Sequence, residues 1–310
     1  MILDSSLPWE RVAEPQKDFV DLEMLWSTAD KLYGYTKPPQ NKELSLFGGR
    51  VGVNLISLPN NHKKDITQED YSKNNLAQLL EFTLSLTPYS ESVSKFLDVY
   101  HPYVDGDSDS VFEMNLIGLG CSCGPVTHPK KGTIEICSTY SNPIGAGDGI
   151  IHEVWHQRMH ALGIDFETHS KLFFANDDTE VYDSPIRKDK LRPIPAIIQA
   201  QYSYIGVTEY YQSLIEKLFD RKDSVLTSRP KYSNLSTSNL DSWLRMSARN
   251  VYRIREGVDT ITANIKPTPD IGERFIHGYM NYADRVINTS IEQIKYYEQK
   301  LDVEYDWGVR

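Results

Sequence analysis

The sequence predicts an α+β fold, with a small sheet in the N-terminal half and a mainly helical C-terminal half. Short β-branched runs bounded by turn residues lie before about residue 140, whereas long stretches with apolar residues at helical spacing fill the chain after residue 195. The 310 residues suffice for one large domain or two small ones. We predict a single domain, 1–310, with a mixed part at about 1–140 and a metal-binding, helical part at about 141–310.

The N-terminal part alternates helices and strands. Apolar residues at helical spacing predict a helix at 18–32, and the run GRVGVNLISL at 49–58, bounded by Gly and Pro, predicts a strand. Thr67 is a good N-cap for a helix at 66–86. A further helix is predicted at 90–99.

The middle of the chain carries two strand-like runs followed by a Gly-rich segment. VFEMNLIGL at 111–119 and GTIEICS at 132–138 show the alternation typical of strands. The segment SNPIGAGDG at 141–149 predicts a loop, and Asp148 is the expected N-cap of a helix at 149–162.

The rest of the chain is predicted to be mainly helical, with helices at 195–219, 239–258 and 272–301. The intervening stretch 220–239 is rich in Ser, Arg and Lys and is the best candidate for a mobile loop or lid. The long last helix could pack internally or across a dimer, so the oligomeric state stays open.

Composition excludes several classes of protein. The chain has 33 Lys and Arg against 43 Asp and Glu, a net charge of −10, which argues against a nucleic-acid binder. It contains no apolar stretch of membrane-spanning length, and its N-terminus lacks a basic segment followed by an apolar one. Three cysteines are an odd number for a disulfide framework. These features predict a cytoplasmic protein with no membrane partner.

The segment IIHEVWH at 150–156 contains residue types that can bind a metal ion and transfer a proton. Positions i and i+4 lie on one face of a helix, so His152 and His156 can present two imidazoles to one metal ion. Glu153 is one position along and can approach a metal-bound group from the side as an acid or base. The sequence therefore predicts a metal site with Glu153 as its catalytic carboxylate.

Two histidines are too few for a catalytic metal, which usually takes three protein ligands. Metzincins are excluded because Met159 and Leu162 stand where that class has Gly and His. A Glu from a later helix, as in gluzincins, would be Glu209, and Gln199 earlier on the same predicted helix is a second possible oxygen ligand. His160 is expected to be a neighbour rather than a ligand.

An arginine-containing segment precedes that long helix. In YDSPIRKDKLRP at 182–193, Arg187 and Arg192 each lie close to a proline or a turn residue. Either guanidinium could hold a carboxylate in a bidentate fork.

The block from His152 to Tyr211 resembles the HExxH-motif family of peptide-modifying proteins. The likeness rests on HEVWHQRMHAL, on SPIRKDKLRP as a match to the pattern P-x-R-x-D-x-x-R-P, and on a Y-x-Y run at Tyr202–Tyr204. The better understood relatives of this family are 2-oxoglutarate-dependent iron enzymes that hydroxylate β-carbons in ribosomally made peptides. The remainder of the chain shows no such likeness.

The resemblance implies a set of roles. His152 and His156 would bind Fe(II), Glu153 would be the motif carboxylate, and Arg192 would anchor the distal carboxylate of 2-oxoglutarate. Members of the family have His at the position of Gln199, so the third ligand stays open. The resemblance also implies a zincin-like HExxH helix and a fold other than the double-stranded β-helix of other 2-oxoglutarate oxygenases.

The expected function is therefore an Fe(II)- and 2-oxoglutarate-dependent oxygenase that hydroxylates an unactivated β-carbon of a residue in a precursor peptide. The first alternative is a zinc metallopeptidase, the commonest use of HExxH, in which Glu153 takes a proton from the attacking water. The second alternative is a non-catalytic peptide-binding partner in a maturation pathway.

Overall fold

The structure is a computed structural model that describes most, but not all, of the chain. The described residues are 7–14, 45–53, 63–65, 76–88, 90, 93–94, 97, 99–105, 133–137, 143–162, 164, 171–177, 179–186, 188–220 and 237–305. The predicted helix at 18–32, the predicted strand at 111–119 and most of the predicted lid at 220–239 lie outside these residues.

The described part of the chain is mostly helical. The longest helices follow Pro143, and α4 continues through a π-helical turn at Glu216–Asp220. The helices are α1 Trp9–Ala13, α2 Leu76–Ser85, α3 Pro143–Ala161, α4 Ile194–Ile215, α5 Thr237–Asn264 and α6 Ile271–Leu301. Among the described residues, no helix combines the length and the apolarity needed to cross a membrane.

The strands are short and pair around β4. Strand β2 runs parallel to β4, with Val53 opposite Tyr100, and β5 also runs parallel to β4, with Pro102 opposite Ile136. Strand β1 pairs with β2 and β3 pairs with β4, both antiparallel. The strands are β1 Ser45–Leu46, β2 Val51–Val53, β3 Lys63–Asp65, β4 Val99–Asp105 and β5 Thr133–Cys137.

Contacts between residues group the chain into two compact units. The first unit comprises Met1–Gly34, Arg158–Gln212 and Trp243–Arg310, and the second comprises Tyr35–Gln157 and Ser213–Ser242. Helix α3 therefore contributes His152, Glu153 and His156 to the second unit and its last turn to the first.

The core of the first unit forms where α1 packs against α6. Both Nε and Nη2 of Arg274 donate to the carboxylate of Glu10, at 2.8 and 3.0 Å, and Nη2 also donates to the carbonyl of Leu7 at 2.8 Å. A Cβ at Gly278 would lie 2.1 Å from the carbonyl oxygen of Glu10. Gly278 thus allows the two helices to approach more closely than any side chain would permit.

Aromatic rings fill the space beside this contact. The ring of Phe173 lies 5.5 Å from that of Trp9, edge to face, and 4.7 Å from that of Phe275. On α6 the fully buried residues Phe275, Tyr279, Tyr282 and Val286 are spaced by four, three and four positions, which places them on one face of the helix. This apolar stripe explains why the sequence between 271 and 301 forms a long, packed helix.

The helix that carries the histidines begins earlier than the sequence predicts. The predicted loop at 141–149 is wrong from Pro143 onward, because α3 starts there. Its glycines suggest a loop, yet proline is favoured at the first helical position, where its fixed φ fits and its missing N–H costs nothing. Asp148 is consequently not an N-cap but a buried residue within the helix, 5 % exposed.

A second difference concerns β4. Val99, the predicted end of a helix, is the first residue of this strand, which the sequence does not predict. The reason is Pro102, since proline cannot donate to a strand ladder and so argues against a strand. The strand predicted at 132–138 corresponds to β5, and the strand predicted at 49–58 corresponds to β2 at Val51–Val53, whereas Gly49 ends a short 3₁₀ helix.

The predicted helices of the C-terminal half correspond to α4, α5 and α6. The predicted helix at 66–86 corresponds to α2 over residues 76–85, its earlier residues lying outside the described part. The α+β class as a whole, the single domain and the zincin-like character of α3 stay predictions.

Candidate metal centre

Helix α3 positions the two histidines of the HExxH segment. Its apolar residues Ile150, Ile151, Val154 and Trp155 are at most 1 % exposed, so the helix is held firmly by packing around the motif. His156 is buried as well, and His152 is half-buried. Packing therefore fixes the helix segment from which both imidazoles project.

The two imidazoles converge on each other. Their Nε2 atoms lie 3.1 Å apart, and the ring centroids lie 4.7 Å apart with the planes inclined at 79°. Two nitrogens bound to one ion at about 2.1 Å lie about 3.0 Å apart at a right angle and about 3.4 Å apart at the tetrahedral angle. The observed separation falls within this range, so the pair fits a shared metal ion as it stands.

The protonation state of His152 favours the same role. Burial lowers the pKa of His152 from 6.5 to about 4. The imidazole is therefore neutral near pH 7, and a neutral imidazole is the form that can offer a lone pair to a metal. No proton has to leave His152 before a metal binds.

Glu153 lies beside the pair in the sequence and is 4 % exposed. A buried carboxylate next to two imidazoles can accept a proton or a hydrogen bond from a group bound at the same centre. Chemically, α3 therefore supplies two nitrogen ligands and one acid or base within five consecutive residues.

The third ligand is not identified by the geometry. Within the described ranges, no three or more His, Cys, Asp and Glu side chains form a group that could hold a metal ion. Gln199 and Glu209, the two predicted candidates, belong to α4 and to the first unit. Gln199 carries an amide and is not among these residue types, so its prediction as the third ligand is not tested by their grouping.

Both candidates have structural partners of their own. Gln199 is fully buried and its amide nitrogen donates to the carbonyl of Ile164. Glu209 is 6 % exposed, and its two carboxylate oxygens accept hydrogen bonds from the hydroxyl of Tyr282 at 3.0 Å and from the guanidinium of Arg285 at 2.6 Å. Each interaction ties α4 to another part of the first unit.

Of the two predicted carboxylate-binding arginines, Arg187 lies outside the described residues. Arg192 and Tyr182 exchange two backbone hydrogen bonds of 2.8 Å, which closes the intervening segment into a loop. The side-chain Nε of Arg192 is buried and has no hydrogen-bond partner among the described residues. A buried donor without a partner is costly, so this guanidinium is suited to receive an anionic group.

Sequence reasoning gave no structural role to Arg158, two residues after His156. This arginine is 2 % exposed, and it donates to the hydroxyl of Tyr202 at 3.2 Å and to the carbonyl of Val12 at 3.4 Å. The available signal is a basic residue close to the histidine pair, but the partners of Arg158 are distant in the sequence and cannot be named from it.

A scan against models of known protein families finds no match for this chain, and a search of curated proteins finds no relative. The resemblance to the HExxH-motif family consequently stays a prediction.

Proposed function

We propose that this chain is a cytoplasmic Fe(II)- and 2-oxoglutarate-dependent oxygenase that hydroxylates an unactivated β-carbon of a residue in a ribosomally made peptide. The observation that supports a metal site is the separation of 3.1 Å between Nε2 of His152 and Nε2 of His156. The proposed reaction and the proposed peptide substrate are inferred from the resemblance to the HExxH-motif family described above.

The residues of α3 have separate tasks in this proposal. His152 and His156 hold the metal through Nε2, and the lowered pKa of His152 keeps that ring ready for ligation. Glu153 accepts a hydrogen bond or a proton from a group bound beside them. The buried apolar residues around the motif hold the helix in place and limit the access of water to buried His156.

Fe(II) held by His152 and His156, together with 2-oxoglutarate and O₂, would supply the oxidation, in which one oxygen atom would enter the C–H bond of the peptide and the other would enter succinate, with release of CO₂. Arg192 is the proposed partner of the distal carboxylate of 2-oxoglutarate. The buried Nε without a partner supports this assignment, because a carboxylate would complete its hydrogen bonding.

Zinc peptidase chemistry is the second candidate function, and the burial of Glu153 next to the histidine pair favours it. In that case Glu153 would take the proton of the water that attacks a peptide carbonyl. The donor set is compatible with either metal, because imidazole nitrogen suits both Zn²⁺ and Fe(II). A peptide-binding partner without catalysis is the remaining alternative.

The deciding experiment incubates anaerobically purified protein with Fe(II), 2-oxoglutarate and a candidate precursor peptide, and then admits O₂. The proposal expects succinate and a peptide mass increase of about 16 per hydroxylation. Peptide cleavage with Zn²⁺ alone would establish the peptidase instead. Absence of both products, in a protein that still binds the peptide, would favour the non-catalytic partner.

The matched control is His277→Ala, because His277 is an exposed histidine on α6. This variant should retain whatever activity the parent shows, whereas His152→Ala should lose it. Equal activity of both variants would contradict the assignment of the metal centre.

A further inference from the structure

A cavity of about 430 Å³ lies in the first unit, between the loop closed by Tyr182 and Arg192 and the helix α5. This volume is within the usual range for sites that bind small molecules, about 300–1,000 Å³. It is lined by Asp183, Ser184, Pro185, Lys188, Lys190, Leu191, Glu256 and Thr260. None of these residues belongs to the candidate metal centre.

Glu256, one of the lining residues, carries an unsatisfied hydrogen-bond acceptor. Its Oε1 accepts a hydrogen bond of 2.6 Å from the hydroxyl of Tyr252, whereas its Oε2 is buried and has no partner among the described residues. This hydrogen bond raises the pKa of Tyr252, as expected for a phenol that donates to a carboxylate. A buried carboxylate oxygen without a donor is costly, and a cationic ligand would relieve that cost.

The lining carries charges of both signs. Asp183, Lys188 and Lys190 are exposed, and within the described residues no salt bridge joins either lysine to Glu256. The ammonium groups are thus placed to meet an anion of a ligand, and the second carboxylate to meet a cation.

The lining also includes apolar side chains. Leu191 is 54 % exposed although it is a large aliphatic residue, and Pro185, which also lines the cavity, is buried. Exposed leucine in a cavity wall suits the methylene chain of a ligand, which would cover it.

From this lining we infer that the cavity binds a basic amino acid, with its side-chain cation at Glu256, its methylene chain along Leu191 and its carboxylate at Lys188 and Lys190. Asp183 is the partner of an α-ammonium. The same chemistry would be offered, except for the α-ammonium, by a basic residue at the C-terminus of a peptide. The inference goes beyond the proposed function and does not depend on a metal.

A dicarboxylate such as 2-oxoglutarate does not suit this cavity, although the loop carries the arginine-containing segment. It would place one of its two negative charges near Glu256 or Asp183, and like charges in close contact are unfavourable. The two acidic residues therefore discriminate in favour of a ligand with a cationic group.

Calorimetric titration of the metal-free full chain with L-lysine tests the inference. We expect binding to the parent protein, and Glu256→Gln should weaken it at least tenfold, about 1.4 kcal/mol. The matched control is Glu292→Gln, which removes an exposed carboxylate on α6 and should leave the affinity unchanged.

Two further ligands test the proposed role of the lysines and the source of the ligand. Lys190→Ala should weaken binding of L-lysine but not of cadaverine, which lacks the carboxylate. Nα-acetyl-lysine stands for a peptide C-terminus: tighter binding than L-lysine would identify a peptide as the source of the ligand, and weaker binding would identify the free amino acid.

Three results would overturn the inference: no binding of L-lysine or Nα-acetyl-lysine to a folded parent protein, equal affinities of the parent and Glu256→Gln, or tighter binding of 2-oxoglutarate than of L-lysine. Because Lys190 is exposed, Lys190→Ala keeps the test decisive if Glu256→Gln does not fold. These binding measurements do not depend on oxygenase activity. If the protein showed no such activity, the binding results would still hold, so failure of the proposed function is distinguishable from failure of this inference.

Discussion

Nε2 of His152 and Nε2 of His156 lie 3.1 Å apart, one turn apart on α3. This separation is a direct result of helical geometry, which brings side chains at i and i+4 together on one face. It requires no movement of the chain to bring both nitrogens within reach of one metal ion.

Replacing either histidine should remove the metal. We expect His152→Ala and His156→Ala to weaken metal binding more than about 100-fold, because even the loss of an outer-shell partner costs about 10- to 100-fold. Metal content after dialysis measures this, with His277→Ala as the control. Stoichiometric metal in either variant would show that the centre lies elsewhere.

Burial of His152 should make the metal-free protein sensitive to acid. Its folded pKa is about 4 against 6.5 when unfolded, so between these values the unfolded state binds the additional proton. The contribution of neutral His152 to the free energy of unfolding is therefore fully present above pH 6.5 and is lost as the pH falls toward 4. For a partly exposed ring we expect this loss to be about 1–3 kcal/mol.

Urea denaturation at pH 7 and pH 4.5 tests this, by comparing the parent with His152→Gln. The loss of unfolding free energy on acidification should be smaller in the variant, which has no imidazole at this position. Identical losses in both proteins would show that another group causes the acid sensitivity.

Glu209→Ala should affect stability rather than the metal. The substitution removes one hydrogen bond from the hydroxyl of buried Tyr282 and one from the guanidinium of Arg285, which keeps its contact with Glu14, so we expect the free energy of unfolding to fall by about 1–3 kcal/mol. Metal content should not change, and Glu292→Ala, at an exposed position, should change neither quantity. Loss of metal from Glu209→Ala would instead identify Glu209 as the third ligand.

Gly278→Ala should destabilise the protein, although alanine is normally the better helix former. The added Cβ would lie 2.1 Å from the carbonyl oxygen of Glu10, and a backbone atom cannot turn aside as a flexible side chain would. We expect a loss of about 1–3 kcal/mol in a thermal or urea melt. Asn288→Ala, on an exposed position of α6, should be neutral or slightly stabilising.

Arg192→Ala should raise the 2-oxoglutarate concentration for half-maximal succinate formation at least about tenfold, since a charge-assisted hydrogen bond contributes about 1.5–3 kcal/mol. Metal content should stay that of the parent. Arg255→Ala, which removes an exposed guanidinium on α5, serves as the control. An unchanged concentration dependence in Arg192→Ala would show that another group binds the cosubstrate.

The errors in the sequence-based prediction have identifiable causes. Helix α3 begins at Pro143 although its first turns contain glycines, because packing of the folded chain outweighs the local preference of glycine for loops. Strand β4 contains Pro102 and is not predicted from the sequence, which places only its first residue, Val99, at the end of a helix, since the neighbouring strands that stabilise β4 are distant in the sequence. Local propensity carries no information about such partners.

The sequence by itself determined the histidine pair, because the geometry of i and i+4 positions on a helix is local. It also determined the long helices of the C-terminal half, through the helical spacing of residues such as Phe275, Tyr279 and Tyr282. Only the tertiary structure decided that Glu209 meets Arg285, 76 residues away, and that Gly278 contacts the backbone of Glu10. Such pairings depend on how helices pack, and the helical period encodes which face is buried but not which partner covers it.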